Sequence, residues 1–468
     1  MTITDGSGRG IHEKQNGVFR IAYGRGEVLM ATTAVKDSRV VVIGLGYVGL
    51  PLAVSFTEAG FNVSGIDSSK FRVEELKRAD SPIEDLSSDR LKDVLEKGFK
   101  IYATEESSSV LAVADVVFVC VPTPVGSAKD PDLGPILDAA REIGRNLPSR
   151  CLIILQSTSF PGTTMGPFRE ALEKESGLKA GTDFDLAFAP ERVNPGDTSS
   201  ALRSVPRLVG GCTPEATTRA AALLHYINDT VVEMTSPDAA EAAKVLENTF
   251  RNVNIAFINH FALLCERMGL DSWEVIDAAA TKPFGFMRFT PGPGVGGHCI
   301  PVDPYYLAWR ARQFNFTDRF IELAGDINNS MPDHVVSLCA TALNSKSIAL
   351  NGAHVGVIGV AFKPNIGDAR TSPSAPIIGS LAQAGAEVVY HDPHVRTFTD
   401  ANGRDYESVD LEKMLRESDL IVVLVPHAKI DFGSVYQQAS LVVDTVNSSK
   451  NHSLRPRTVL RLGSGWNA

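Results

Sequence analysis

The sequence predicts an α/β fold in three parts: two units of mostly parallel sheet flanked by helices, joined by a central helical segment. Three observations predict it. Short apolar runs alternate with helix-length segments from Arg39 to about Gln156, strand signals vanish between about Ser236 and Leu343, and the alternation resumes at His354. A chain of 468 residues is also too long for one hydrophobic core, which by itself divides it into two or three domains.

Residues 1 to 35 are rich in Gly, Ser and Thr without sustained periodicity, and are expected to form a flexible extension, with Met30 as an alternative start. The first α/β unit is expected over 36–235. It opens with Val40-Val41-Val42-Ile43 as a strand, a glycine turn, a helix to about Ala59 and a second strand at Phe61 to Ile66, with buried strands again at Val116 to Val121 and Leu152 to Gln156. The helical segment, 236–345, opens on Ser236-Pro237-Asp238, where Ser can cap and Pro can occupy the first turn. The last unit, 346–468, carries strands at His354 to Val360, Glu387 to Tyr390, Leu420 to Val425 and Leu441 to Val443, and a helix at Ser374 to Ala384.

With 44% hydrophobic and 21% charged residues, the composition is that of an ordinary globular protein. A formal charge of −10 argues against nucleic acid as a partner, since phosphate backbones are bound through clustered Lys and Arg. No apolar run approaches a bilayer's width, and the N-terminus lacks a signal-peptide pattern. Six cysteines are scattered without paired or zinc spacing, so a reducing compartment, the cytoplasm, is expected. No metal is expected either, although His298 and the His391-Asp392-Pro393-His394 group invite that reading.

Between the first strand and its helix stand Gly44-Leu45-Gly46-Tyr47-Val48-Gly49. In that context the first glycine permits a tight turn, the second admits a pyrophosphate to backbone N–H groups, and the third allows helix and strand to touch. Asp67, 21 residues beyond Gly46, stands where an acid accepts from the adenine ribose hydroxyls, favouring NAD over NADP. Lys70 and Arg72 leave a second reading, in which a cation meets a ribose phosphate. The first unit is therefore read as a Rossmann dinucleotide domain, with Gly44, Gly46, Tyr47, Val48, Gly49 and Asp67 at the cofactor.

Pro291 to Asp303 reads P-G-P-G-V-G-G-H-C-I-P-V-D. Glycines at this density serve backbone conformations that side chains forbid, and a cysteine, Cys299, emerges at their end with Asp303 four residues on. A thiol suits a dehydrogenase because it traps an aldehyde as a thiohemiacetal, from which a second hydride leaves to give a hydrolysable thioester. Lys244 and Asn248, at i and i+4, share one helix face, on an otherwise apolar segment where Asn248, Asn252 and Asn259 form a polar stripe that must face something.

The sequence resembles the UDP-glucose/GDP-mannose dehydrogenase family, in its branch acting on UDP-N-acetylhexosamines. The resemblance runs from Arg39 to about Asn447 through G-L-G-Y-V-G-L-P-L-A from Gly44, V-P-T-P from Val121, S-T-S-F-P-G from Ser157, A-P-E-R-V from Ala189, A-A-K-V-L-E-N-T-F-R-N-V-N from Ala242, the glycine loop through Cys299, and F-K-P-N-I-G-D-A-R-T-S-P from Phe362. It implies a Rossmann-like third domain and NAD as cofactor. Cys299 is then the nucleophile, Glu191 the general acid/base or water-orienting carboxylate, Asp303 a support for thiolate chemistry and thioester hydrolysis, and Lys244 and Asn248 the oxyanion donors. Thr158 would lie near the nicotinamide and Thr123 would help hold the cofactor. The resemblance also implies that Arg192, Gly296, Lys363 and Arg370 bind the UDP-sugar together with Glu191, Lys244 and Asn248, and that the central helix supports a homodimer or higher homo-oligomer.

Three positions depart from the family pattern: Val446 stands where D-T-R-N is common, His260 replaces an acid, and no subunit-crossing arginine has a counterpart near Pro283. The segment Lys282 to Met287, with Val302, resembles UDP-N-acetylglucosamine dehydrogenases; UDP-N-acetylmannosamine, UDP-N-acetylgalactosamine and UDP-glucose stay open. Two other classes stand beside this reading: a non-catalytic nucleotide-sugar or NAD-binding module, and a one-step 3-hydroxyacid dehydrogenase, which has no need of Cys299 or a third domain.

Overall fold

A computed structural model describes residues 37–83, 86–126, 130–192 and 203–466. The expected extension at residues 1 to 35 lies outside them. The first sheet has strands β1 (Arg39–Ile43), β2 (Asn62–Asp67), β3 (Lys100–Ala103), β4 (Val116–Val119), β5 (Leu152–Leu155), β6 (Asp185–Phe188), β7 (Arg207–Gly211) and β8 (Val231–Glu233), in the order β3-β2-β1-β4-β5-β6-β7-β8. β1 to β6 run parallel and β7 turns against β6. Alternate residues feed two cores. Val40, Val42, Phe118 and Ile154 pack on one face with Phe56, and Val41, Ile43, Val119 and Ile153 pack on the other with Phe168. Burial of both faces is what makes these strands read as unbroken apolar runs.

Strand order reverses between β1 and β4, so the loops that follow these two strands part and leave a crevice at their carboxyl ends. Helix α1 (Gly49–Glu58) begins in that crevice. The central segment comprises α2 (Pro237–Met268), α3 (Ser272–Ala279), α4 (Asp303–Arg312) and α5 (Arg319–Asn344). As read from the sequence, Ser236 caps α2 by accepting from Ala239 N–H at 3.1 Å with Pro237 in the first turn; Gly269, left-handed at φ +71°, ends it.

The second sheet orders β10 (Glu387–His391), β9 (His354–Ile358), β13 (Leu420–Val423), β14 (Val442–Asp444), β15 (Val459–Arg461) and β16 (Gly465–Trp466), with β16 antiparallel at the edge. A separate hairpin pairs β11 (Thr397–Thr399) with β12 (Asp405–Glu407). Helix α6 (Ser374–Gln383) covers this sheet beside α5. The chain is thus α/β, two Rossmann-like units about a helical middle. β3, β6, β7, β8, β11, β12, β15 and β16 escaped the sequence reading: all but β7 have fewer than four consecutive buried residues, and β7 opens on a buried Arg207 and ends on two glycines.

Candidate active site

The glycine turn is built as its spacing requires. Gly44 has φ +88°, and a Cβ there would meet Cys120 O at 2.6 Å; a Cβ on Gly49 would meet Gly44 O at 1.8 Å, so that helix and loop touch only because neither residue has a side chain. A Cβ on Gly46 would meet nothing within 4 Å. Two glycines close the turn and the middle one leaves open space over backbone N–H groups at the start of α1, the shape a pyrophosphate needs. Asp67, at the end of β2, is buried and accepts from Leu45 N–H in that turn and from Ser69 N–H, both at 2.8 Å. Arg72 approaches the same carboxylate at 3.4 Å, and Lys70 pairs with Glu105 on the surface at 2.9 Å.

Cys299 ends the glycine loop, and Asp303 N–H donates to its carbonyl at 2.8 Å. Asp303 opens α4 in the first turn, where the helix dipole favours a carboxylate. It is 3 % exposed and accepts from Asn248 Nδ2 at 2.5 Å. Burial pushes its carboxyl up to about 6, with Lys244 and the Asn248 hydrogen bond pulling the other way. The Cys299 residue is exposed, yet desolvation at its sulfur pushes the thiol up to about 11; Asp303 adds to the rise, while Lys244 and Arg251 oppose it. Cys299, Asp303, Lys244 and Asn248 therefore form one electrostatic cluster, assembled from α2, the glycine loop and α4.

The rest of the polar stripe on α2 turns to structure. Asn259 Oδ1 accepts from Gly292 N–H at 3.0 Å, its Nδ2 donates to Asn328 Oδ1 at 3.0 Å, and Asn328 Nδ2 donates to Asn252 Oδ1 at 2.9 Å. This buried amide chain ties α2, α5 and the glycine loop together.

Glu191 and Thr158 belong to a neighbouring assembly on the first sheet. Glu191 Oε2 accepts from buried Arg207 at 2.8 Å and from Gln156 Nε2 at 3.2 Å, and Oε1 accepts from Arg192 N–H at 2.8 Å. The Arg192 side chain reaches α2, where it grips Glu247 at 2.6 Å. Thr158 is half-buried on the loop after β5, whose far end is fastened to α2 by Glu241. That carboxylate accepts from Gly162 N–H at 2.6 Å, from Thr164 N–H at 2.8 Å and from Thr164 Oγ1 at 2.6 Å; burial pushes it up to about 7 against those donors. The carbonyl of Thr123 accepts from the buried hydroxyl of Tyr306 on α4, which joins the V-P-T-P turn to the helix of Asp303. Arg207, Gln156, Glu241, Glu247 and Tyr306 were missed in the sequence. The one signal was chemical: a buried cation in P-R-L-V-G-G and an acid one turn before Lys244 each require a partner.

The third unit meets the first two through the loop between β9 and α6. Its Phe362, Thr371 and Pro373 pack where a Cβ on Gly296 would stand, within 2.8 to 3.0 Å, and Thr371 Oγ1 donates to Gly297 O at 2.9 Å. Arg370 is exposed, holds Asp368 through Nε at 3.0 Å and Nη2 at 2.8 Å, and lies 5.6 Å from the ring centroid of Tyr47 in the glycine turn. Half-buried Lys363 sits 5.9 Å from the Phe362 ring. His298 is 3.9 Å from Asp368. The His391 to His394 group is structural: Asp392 accepts from Val360 N–H, His394 N–H and the buried His427, and these donors outweigh burial to bring its carboxyl down to about 2. Val446 is half-buried in the core beside β14, and Asn447 Oδ1 in the same turn accepts from Arg461 at 3.2 Å.

Family comparison matches three successive domains of one family along this frame: the NAD binding domain of the UDP-glucose/GDP-mannose dehydrogenase family over 38–228, its central domain over 238–330 and its UDP binding domain over 356–451. The chain belongs to this family. A UDP-N-acetyl-D-glucosamine 6-dehydrogenase of Pseudomonas aeruginosa is 38% identical over 361 residues, covering 77% of this chain and 84% of that one. A UDP-N-acetyl-D-mannosamine dehydrogenase of Pyrococcus horikoshii is 37% identical over 393 residues, 83% and 89% of the two chains. Among solved structures, the UDP-D-ManNAc dehydrogenase of P. horikoshii superposes with a TM-score of 0.82 at 32% identity, covering 91% of this chain and 99% of that one. The chain is an NAD-dependent nucleotide-sugar dehydrogenase, and its cofactor turn fits the dinucleotide its family uses. Among the described residues no helix is long and apolar enough to cross a membrane.

Proposed function

We propose that this enzyme oxidises the C6 primary alcohol of a UDP-linked N-acetylhexosamine, preferably UDP-N-acetylglucosamine, to the uronate through a covalent intermediate on Cys299. The cluster of Cys299 with Asp303, Lys244 and Asn248 carries the reading, because a dehydrogenase that stopped at an aldehyde or ketone has no use for a thiol at this place. NAD, when bound, would supply the hydride acceptor, one molecule for each of the two oxidations at C6. The turn at Gly44, Gly46, Tyr47, Val48 and Gly49 would hold its pyrophosphate and Asp67 its ribose, with Thr123 and Thr158 toward the nicotinamide.

The residues divide the chemistry among them. Cys299, a neutral thiol at pH 7 with its ordinary value raised to about 11, adds to the C6 aldehyde. The sulfur bonds to C6, the carbonyl π pair moves to its oxygen, and the thiol proton passes to Asp303, the carboxylate that acts on the thiol. Lys244 and Asn248 donate to the oxygen that gains negative charge, an interaction worth a few kcal/mol. Asp303, ionised above about pH 6, keeps Asn248 turned inward through its hydrogen bond. Glu191 serves the water that cleaves the thioester. Lys363 and Arg370 hold the diphosphate, and Arg192 and Gly296 border the sugar.

Identity does not choose the epimer, since the glucosamine and mannosamine enzymes differ from this chain by almost the same amount. The Lys282 to Met287 segment and Val302 favour UDP-N-acetylglucosamine. The deciding measurement is NADH formed per limiting UDP-sugar, with product mass, for the wild type and Cys299→Ser. Two equivalents and a uronate for the wild type, and no uronate from the variant, are expected; uronate from Cys299→Ser at the wild-type rate removes the covalent route.

We also propose that the enzyme is a homodimer closed through α2. This helix buries Glu241, Asn248, Asn252 and Asn259 among Val245, Ala256, Ile258 and Ala262, yet leaves Leu246, Phe250, Phe257, Leu264 and Met268 exposed. An apolar stripe of this length on a catalytic helix suits a second copy of itself. Sedimentation at micromolar concentration is expected to give twice the chain mass, and a monomer would end the idea.

A further inference from the structure

We propose that Arg207 is the positioning residue that keeps Glu191 ionised, so that Glu191 acts as base rather than acid when the Cys299 thioester is hydrolysed. The inference rests on the reading of Glu191 as a group at the reaction centre. Arg207 opens β7 and is 2 % exposed. Its Nη1 donates both to Pro190 O at 2.9 Å and to Glu191 Oε2 at 2.8 Å, so that one nitrogen fixes the backbone and the carboxylate of neighbouring residues. Nε lies 3.5 Å from Asn228 Oδ1, and Nη2 is buried without a hydrogen-bond partner among the described residues. A guanidinium in this setting has given up its water for a single carboxylate, and protonating Glu191 would leave that buried cation uncompensated.

Two further donors on Glu191, the Gln156 amide and the Arg192 backbone N–H, are neutral. Gln156, from the end of β5, donates to the same Oε2 and turns its own carbonyl to the Cys120 thiol at 3.3 Å, which fixes the amide's orientation. Burial raises the Cys120 thiol, and the Glu191 charge raises it further, so it stays neutral. Arg192, whose backbone N–H meets Oε1, spends its guanidinium on Glu247 of α2. Arg207 is the buried cation seated on Glu191, at 2.8 Å. In the hydrolytic step Glu191 takes one proton from water as the water oxygen bonds to the thioester carbon; collapse then breaks the carbon–sulfur bond and frees the uronic acid, which loses its remaining proton to solvent, while the sulfur leaves as thiolate and takes the proton held by Glu191.

The test is uronate release in single turnovers from about pH 5.5 to about pH 9. An opposite charge at this distance lowers a carboxylate by about one to three units. Replacing Arg207→Met is therefore expected to move the acid limb of release upward by at least about one unit, a loss of about tenfold near pH 6 that is recovered near pH 9, with formation of the first NADH much less affected. Arg207→Lys, which retains the charge, is expected to return the limb toward its wild-type position. Should Arg207→Met fail to fold, Arg207→Gln, which keeps a donor without charge, answers the same question. A loss of equal size at all pH values, or an unmoved limb, overturns the role of Arg207. Glu191→Gln separates the two ideas: if it releases uronate normally, the reading of Glu191 itself falls, whereas if it blocks release and the Arg207 variants leave the limb in place, only the inference about Arg207 falls.

Discussion

The two sheets of this chain solve one problem with one frame and then diverge. In the first, Asp67 at the end of β2 accepts from Leu45 N–H in the turn after β1; in the second, Asp392 just past β10 accepts from Val360 and Ala361 N–H in the turn after β9. After β1 only five residues, Gly44 to Val48, precede the helix, whereas after β9 fifteen, Gly359 to Pro373, intervene. The short turn can offer a phosphate little but backbone N–H groups and a helix dipole. The long one offers side chains, Lys363 and Arg370, and doubles as the surface that receives the glycine loop of Cys299. A nucleotide held by backbone demands glycines at fixed spacing; one held by cations on a loop leaves the spacing loose.

The largest expected effect tests the first half of that contrast. Gly49→Ala puts a Cβ within 1.8 Å of Gly44 O, a clash that backbone movement alone relieves. Calorimetry is expected to show NAD affinity down by about a hundredfold or more while UDP affinity changes by less than about threefold, as loss of several N–H contacts requires. Parallel losses at both nucleotides would mean that the two sites are not held in different ways. Lys363→Ala and Arg370→Ala sharpen the other half. If these cations hold the diphosphate as proposed, each variant loses a charge-assisted contact, and the KM for the UDP-sugar is expected to rise by about ten- to a hundredfold with the KM for NAD moving far less. Arg370→Ala is expected to perturb NAD somewhat more than Lys363→Ala, because Arg370 lies 5.6 Å from the centroid of the Tyr47 ring in the glycine turn.

The smallest effect lies between the two sheets. Asp303 is raised to about 6, so it is the charged form that is lost as pH falls through that value. The rate of the first NADH is expected to decline below about pH 6 by up to tenfold per unit, and Asp303→Asn is expected to flatten that limb. A limb unchanged in Asp303→Asn would assign it to another group.

How far the sequence could be read follows the same division. β1, β4 and β5 were legible because burial on both faces leaves an unbroken apolar run, and the glycine turn because close backbone contact tolerates no other residue. The Cys299 loop was legible for the same steric reason. β3 and β6 were not, since neither has four buried residues in a row to show as an apolar run. Partnerships formed across sheet order were hidden too. Arg207 meets Glu191 only because the chain turns back at β7, and Asn328 meets Asn252 and Asn259 only because α5 folds onto α2. The polar stripe on α2 was visible; its destination, an amide chain for all but Asn248, was not.

That amide chain fixes something a greasy seam would leave free. Apolar side chains trade neighbours at small cost, so helices packed through leucines can slip past one another by a turn. Amides cannot, because Asn259 and Asn328 each engage both ends of the side chain while Asn252 accepts from Asn328, and a slip would strand all of them in the interior at once. The position of Lys244 and Asn248 along the helix axis relative to the glycine loop is therefore indexed, one notch at a time, by amides outside the Cys299 cluster.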